Sequence, residues 1–293
     1  MTTRESELGL PVAAPAISAT SEKPLRGRKK GKPSVFWRIR DEIPWRLELA
    51  LGVLSLALPL ALWSLLYVSG AFSQIFLPSP VVTAEAGYKL LTSGELLNDT
   101  STSVQRVFLG FGLAVLVSVP LGLAMGTFRS IRALFEPAIG LIRYAPATAF
   151  VTLLIVWLGL GEESKIALVF IGTVFFNTLM TANVVWQVPS ELIKVSRTLG
   201  AGSGLVFRKV IFPHALPGVI DSARVNLAAA WNLIVVAELF ATDEGLGYRI
   251  VRAQKFLHID QIFVVIVVIG VLGVLSDIAL RTLRNRVAPW SQE

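Results

Sequence analysis

Residues able to do covalent or acid–base chemistry are scarce in this chain, and its polar residues stand in costly places. There is no cysteine, which excludes disulfides, thiolate metal sites and cysteine nucleophiles. His214 and His258 are the only histidines, too few for a histidine-built metal centre. No catalytic group and no metal site is expected. Instead, ionisable side chains stand inside long apolar runs, where each needs a partner or a task. Arg143, three residues before Pro146, could offer its charge to an anion, pair with Glu136, or snorkel to the interface. Asp221 and Arg224 have the spacing of a helical ion pair. Glu238 could pair with Arg249 or Arg252 as part of an outer gate. Thr173, Asn177, Thr178, Thr181 and Asn183 make one apolar run unusually polar, either to line a pathway or to bond between helices. Arg143, Pro146, Asn177, Thr181 and Glu238 are thus the candidates for lining a pathway through lipid.

The elements that must position these residues are apolar runs of membrane-spanning length. Of 293 residues, 54% are hydrophobic and 16% charged, against about 25% charged in a soluble domain. Runs close to the length of a membrane helix cover roughly 48–68, 107–126, 134–159, 166–187, 218–240 and 261–281. The expected fold class is an all-α polytopic membrane protein with six transmembrane helices. Pro120 and Pro146 predict kinks inside two of them. Ser118, Gly122 and Gly126, four residues apart, form a ladder of small residues suited to close helix contact, within the chain or against a second subunit. Between the first two runs, LPSPVVTAEAGYKLL reads as a Pro-initiated amphipathic helix outside the lipid. No internal repeat is evident.

Residues 1–33 are polar and basic and read as a disordered cytoplasmic tail. They make too long a charged leader for a signal peptide. Residues 34–47 mix Trp, Phe and Ile with Arg, the pattern of an interfacial amphipathic helix. Residues 48–290 then form the transmembrane domain. The net charge of +7 could suggest nucleic acid, but its placement argues for topology. With the N-terminus inside, nineteen Lys and Arg fall on the cytoplasmic side and six on the other. Both termini are therefore expected in the cytoplasm, and no nucleic-acid partner is expected. GRKKGK has one residue too few between its glycines, and a Pro after its Lys, so it is not a phosphate-binding loop.

One cytoplasmic segment, 190–217, keeps helical spacing without membrane length. SELIKVSRTLG runs from Ser190, a plausible N-cap, to Gly200, a plausible C-cap. AGSG turns the chain, LVFRKVIF makes a second short helix, and Pro213 and Pro217 are expected to stop it. Such a hairpin suits a partner's groove, or could rest on lipid headgroups.

This loop resembles the EAA motif of permease subunits of bacterial ABC importers: Glu-Ala-Ala, three residues, Gly, nine residues, Ile, one residue, Leu-Pro. The Gly falls on Gly200, the Ile on Val210, and the Leu-Pro on Phe212 and Pro213. Lys194, Val195 and Ser196 occupy the Glu-Ala-Ala positions, so the acid is absent there, with Glu191 one turn earlier. The resemblance covers about 50–290. FLPSPVVT, RYAPATAF, WLGLGEESK, WNLIVVAEL and GLGYRIVRAQKFL are most similar to permeases for sulfonates, taurine, nitrate and bicarbonate.

The resemblance implies a type I ABC importer permease fold in a bacterial inner membrane. It implies a pathway built by two permease copies, as a homodimer, and two cytoplasmic P-loop ATPase subunits that hold ATP and magnesium. It further implies a periplasmic or lipid-anchored binding protein that delivers a small anion. The chain itself would bind no cofactor and catalyse nothing. Lys194, Val195, Ser196, Leu199, Gly200, Val210, Phe212 and Pro213 would couple it to the ATPases. From the residues alone, an ATP-independent channel or secondary transporter is the alternative.

Overall fold

The computed structural model describes Phe36, residues 43–240 and residues 242–291. The tail expected over 1–33 lies outside the described residues, as does most of the 34–47 segment, whose Trp45, Arg46 and Leu47 already belong to the first helix. Among the described residues all regular structure is helical. Two compact units divide at Ser55. The described part of the first is essentially the opening turns of α1 (Trp45–Val68), which bury none of their side chains and expose Trp45, Leu49, Val53 and Leu54. The second, from Leu56 on, holds everything that follows.

Among the described residues, five helices are long and apolar enough to cross a membrane: α1, α3 (Glu95–Thr127), α6 (Glu162–Trp186), the stretch Ser203–Glu238 that ends in α9 (Phe212–Glu238), and α11 (Ile259–Val287). Counted as one span, a bent pair brings the number to six. The expected continuous run 134–159 is in fact α4 (Arg129–Ile142), a four-residue break, and a short helical stretch that ends in α5 (Phe150–Leu158). The two halves meet at 70°. Pro146 therefore ends a helix rather than kinking one: its ring and missing N–H disfavour a helical conformation at the preceding residue.

The amphipathic helix expected outside the lipid is present as α2 (Pro80–Thr92). Pro80 opens it, and the Ser79 hydroxyl accepts from the Val82 N–H at 3.2 Å. Its Ala86 and Leu90 pack with Leu96, Val264 and Val265. On the same side of this unit, Trp63 of α1 stacks on Phe263 at 4.9 Å and donates to the Pro78 carbonyl at 2.9 Å.

The scaffold is the packing of α3, α6 and α9. At about 1.5 Å per residue, the 33 residues of α3 span about 50 Å, well beyond the roughly 30 Å of hydrocarbon. The apolar run 107–126 is only its later part. The small-residue ladder packs against α6 within the same chain. A Cβ on Gly122 would lie 2.6 Å from Thr181 Cβ and 2.7 Å from the Thr178 carbonyl oxygen. Gly126 faces Val185 and Ala182, and Gly110 extends the ladder upstream against Val169 and Ile166. With no hydrophobic effect between helices in lipid, this close approach is how α3 and α6 gain contact. Behind the seam, Trp231 and Ile234 of α9 pack with Leu154, Leu168 and Val169 in the main core.

Candidate functional site

The 190–217 segment folds into a capped hairpin. α7 (Ser190–Thr198) ends at Leu199, and Gly200 takes φ +83°. The Ala201 N–H donates to Ser196 O at 3.0 Å and the Gly200 N–H to Arg197 O at 2.9 Å, the two bonds of a Schellman cap. Arg197 also reaches across the turn to the Ser203 hydroxyl at 2.8 Å. The start differs from expectation. Pro189 is the N-cap and Ser190 the first helical residue; its hydroxyl donates to Glu191 instead of capping. The exposed Glu191 carboxylate is held below its usual range by its own backbone N–H and then by that hydroxyl.

α7 presents Leu192, Val195 and Leu199 to solvent on one stripe, Leu199 being 83% exposed, with Lys194 also exposed beside it. The half-buried Ser196 donates back to the Leu192 carbonyl of its own helix at 2.7 Å. The opposite side, through Ile193, joins a core of Val185, Val206, Ile211 and Val219, with Val210 packed on its edge.

The returning arm is not a separate helix. α8 (Ser203–Val206) passes through a π turn, Phe207–Ile211, straight into α9. Pro213 and Pro217 do not stop it: Pro213 lies in the first turn of α9, and Pro217 is buried inside. The π turn, closed by the Phe212 N–H on Phe207 O, widens the backbone just ahead of a residue that lacks an N–H. Phe212 and Pro213 are thus at the root of a membrane helix.

At the far end of α9 lies an ion cluster. Arg106 is 3% exposed and bridges two acids, Glu238 through Nη1 at 2.7 Å and Glu162 through Nη2 at 2.6 Å. Glu238 is 1% exposed and also accepts from the Ser103 hydroxyl at 2.8 Å and the Gly247 N–H at 2.9 Å. The expected partners of Glu238, Arg249 and Arg252, are otherwise engaged: Arg249 holds Asp99 at 2.7 Å and also Glu95, and Arg252 stands 3.8 Å from Glu95. Arg106 wins because it comes from α3 directly across the helix seam, whereas α10 (Leu246–Lys255) reaches Glu238 through backbone. A Cβ on Gly245, at φ +115°, would lie 2.5 Å from the Glu238 carboxylate, so only glycine lets this backbone approach.

The remaining candidates separate into two settings. Asn177 is fully buried and donates to the Ser118 hydroxyl at 2.6 Å. Asn226 on α9 donates to Asn177 at 3.4 Å. Thr181 is also fully buried, beneath Gly122. Asn183 instead accepts from Arg132 at 3.3 Å. The Asp221–Arg224 pair forms at 2.9 Å and extends to Asp277 of α11 at 2.8 Å. Arg143 does not meet Glu136, which is held by Arg132 at 2.9 Å. Arg143 sits at the α4–α5 break with Pro146, lies over the Tyr144 ring at 5.0 Å, and donates to its hydroxyl at 3.2 Å.

Residues 118–289 match the family model described as the binding-protein-dependent transport system inner membrane component. A probable ABC transporter permease protein of Brucella abortus strain 2308 is 37% identical over 83% of this chain and 96% of its own length. The taurine transport system permease protein TauC of Escherichia coli K12 is 32% identical over 87% of this chain and 95% of its own. The nitrate import permease protein NrtB of Synechocystis is 28% identical over 94% of this chain and all of its own. A solved structure of the MetNI methionine ABC transporter, inward facing, aligns with TM-score 0.56 at 20% identity over 67% of this chain and 97% of that one.

The chain belongs to this family of ABC importer permeases. Its fold is the type I permease fold, its place the inner membrane, and its part in the transporter non-catalytic. The family implies ATPase and substrate-binding partners. In this permease the ion cluster was invisible to span-by-span reading because Asp99, Ser103 and Arg106 precede the apolar run. Their i, i+4, i+7 spacing, a single helical stripe leading into that run, was the available signal.

Proposed function

We propose that this permease pairs with a second copy to form the pathway of an ATP-driven importer for a small anion. In this reading, two cytoplasmic P-loop ATPase subunits hold ATP and magnesium, an external binding protein delivers the anion, and both termini lie in the cytoplasm. The observation that carries it is the hairpin: a Schellman-capped helix with an exposed apolar stripe, whose return arm enters α9 without a break. A groove on each ATPase takes Leu192, Val195 and Leu199, with Lys194 at its rim. Push or pull on α7 passes through Val210, Phe212 and Pro213 into a membrane helix. The relative named for nitrate supports an anionic cargo. Of the pathway candidates, Arg143 and Pro146 stand at the helix break, while Asn177, Thr181 and Glu238 shape the helices behind it.

Gly200→Val tests the coupling. Space around Gly200 is open, so the penalty comes from φ +83° alone, about 1–2 kcal/mol for a residue with a Cβ. Membrane insertion should persist while ATP-driven uptake and substrate-stimulated ATP hydrolysis by the reconstituted complex both fall. Unchanged uptake, or uptake by the permease without ATPase subunits, overturns the reading.

A further inference from the structure

Two cations at the start of α4 are gathered on one aromatic ring. The guanidinium carbons of Arg129 and Arg132 lie 5.6 Å and 4.9 Å from the ring centre of Trp186, the last residue of α6. Three residues apart on one helix, the two side chains are neighbours, and the indole holds both in place. Only one of them is neutralised. Glu136 accepts from Arg132 through both carboxylate oxygens at 2.9 Å, and Asn183 accepts from it at 3.3 Å. Arg129 is exposed, and among the described residues no carboxylate stands within ion-pair distance of it. The cluster thus carries one positive charge in excess, on a guanidinium engaged only by the ring.

The surroundings of that charge are those of a membrane surface. Trp186 is 49% exposed at the end of a membrane helix, shortly before α7 begins, the level at which tryptophans lie among lipid headgroups. Phe128 beside it is half exposed, and further along α4 both Leu134 and Leu141 are exposed, as in a helix that faces acyl chains. The apolar stripe suited to a protein groove lies elsewhere, on α7. A fixed pair of cations below such a tryptophan is suited to an acidic headgroup.

We propose that Arg129, Arg132 and Trp186 form a binding site for the phosphodiester of an anionic phospholipid at the α4–α6 edge of the permease. A monoanionic headgroup matches the single excess charge, and the guanidinium forks take its phosphate oxygens. The exposed apolar side chains of α4 continue the contact along the tails. The bound lipid braces the first half of the broken α4–α5 crossing against α6.

The full-length permease in detergent is titrated with dioleoyl phosphatidylglycerol or dioleoyl phosphatidylcholine. Lipid retention is read by native mass spectrometry and the melting midpoint by tryptophan fluorescence. Wild type should retain phosphatidylglycerol at least about fivefold more tightly than phosphatidylcholine and melt higher with it bound. Arg129→Gln should weaken phosphatidylglycerol by about fivefold, the worth of one basic residue at an anionic headgroup, and Arg129→Lys should recover part of that loss. Glu136→Gln removes the acid that competes for Arg132 and should strengthen phosphatidylglycerol binding, a gain that loss of a structural contact would not produce. A cooperative melt reports that each variant is folded. The basic residues of 1–33 are common to all variants, so differences between variants report the site.

Equal retention of the two lipids by wild type, or phosphatidylglycerol binding unchanged in Arg129→Gln, overturns the site. An equal rise in midpoint with inorganic phosphate at matched concentration overturns its assignment to a lipid. So does an Arg129→Gln variant that keeps its phosphatidylglycerol but loses a co-purifying ATPase subunit, because the cluster is then a protein contact.

Discussion

Replacing Arg106 by Met tests whether the ion cluster at the end of α9 fastens the helices. The substitution keeps the stem that packs along α3 but strands Glu238, whose side chain is fully buried, without a counter-charge. Breaking one half of a buried ion pair costs about 3–5 kcal/mol. Glu238 keeps its bonds to the Ser103 hydroxyl and the Gly247 N–H, and Glu162, with 55% of its side chain exposed, returns to water. Both relieve the loss, so about 3 kcal/mol is expected. For a chain of this length each kcal/mol moves the melting midpoint by about 2–4 °C, giving a drop of about 6–12 °C. Tryptophan fluorescence of the detergent-solubilised permease reads that midpoint. The double variant Arg106→Met with Glu238→Gln removes both charges while leaving an acceptor for Ser103 and Gly247. It should regain most of the lost stability, because the unpaired buried charge carries the penalty. A drop below about 2 °C for the single variant, or a double variant no more stable than the single, refutes this reasoning.

Two further outcomes follow from the α3–α6 seam. Gly122→Val should cost about 1–3 kcal/mol or more, since its new methyls meet Thr181 and a backbone carbonyl that cannot give way. Gly112→Ala on the same helix meets open space and should leave the melting midpoint unchanged or raised; equal midpoints for the two variants would refute the packing account. Asn177→Leu leaves the buried Ser118 hydroxyl without its donor and should cost about 1–3 kcal/mol, read as a lower midpoint. That effect should largely vanish in a Ser118→Ala background if the two act as a pair.

Reading the sequence located the membrane helices well because hydropathy over twenty residues is a bulk property that tertiary packing rarely overrides. Local punctuation was harder. Gly200 was legible as a cap because its positive φ favours a residue without Cβ. Pro213 and Pro217 were misread as stops, since a π turn upstream of a first-turn proline looks the same in sequence as a helix end. Pro146 erred in the other direction, ending a helix where a kink was expected. Charge pairing was the least legible of all. Glu238 had cations near in sequence at Arg249 and Arg252, yet its partner Arg106 lies 132 residues away, and only the α3–α9 approach makes that choice. The Asp221–Arg224 pair was legible because it is local, but its extension to Asp277 was not.

These features distribute stiffness unevenly along the permease, and the distribution favours one place for movement. The helical stretch Ser203–Glu238 has 36 residues, about 54 Å at 1.5 Å each. Its N-terminal root is packed into the hairpin core, its middle is tied to α11 through Arg224 and Asp277, and its far end is fastened to α3 and α10 by the Glu238 cluster. A displacement applied at α7 is therefore carried along α9 with α3 and α10 rather than absorbed within it. The α4–α5 crossing has the opposite character: a four-residue break, a 70° bend, and turn residues Tyr144 and Pro146 exposed. Motion of one block against another concentrates at such a joint, because breaks in helices change dihedral angles at little cost while packed helices do not. A ligand that touches this joint can bias the permease between two arrangements only by the difference in its affinity for them, and a tenfold difference corresponds to about 1.4 kcal/mol.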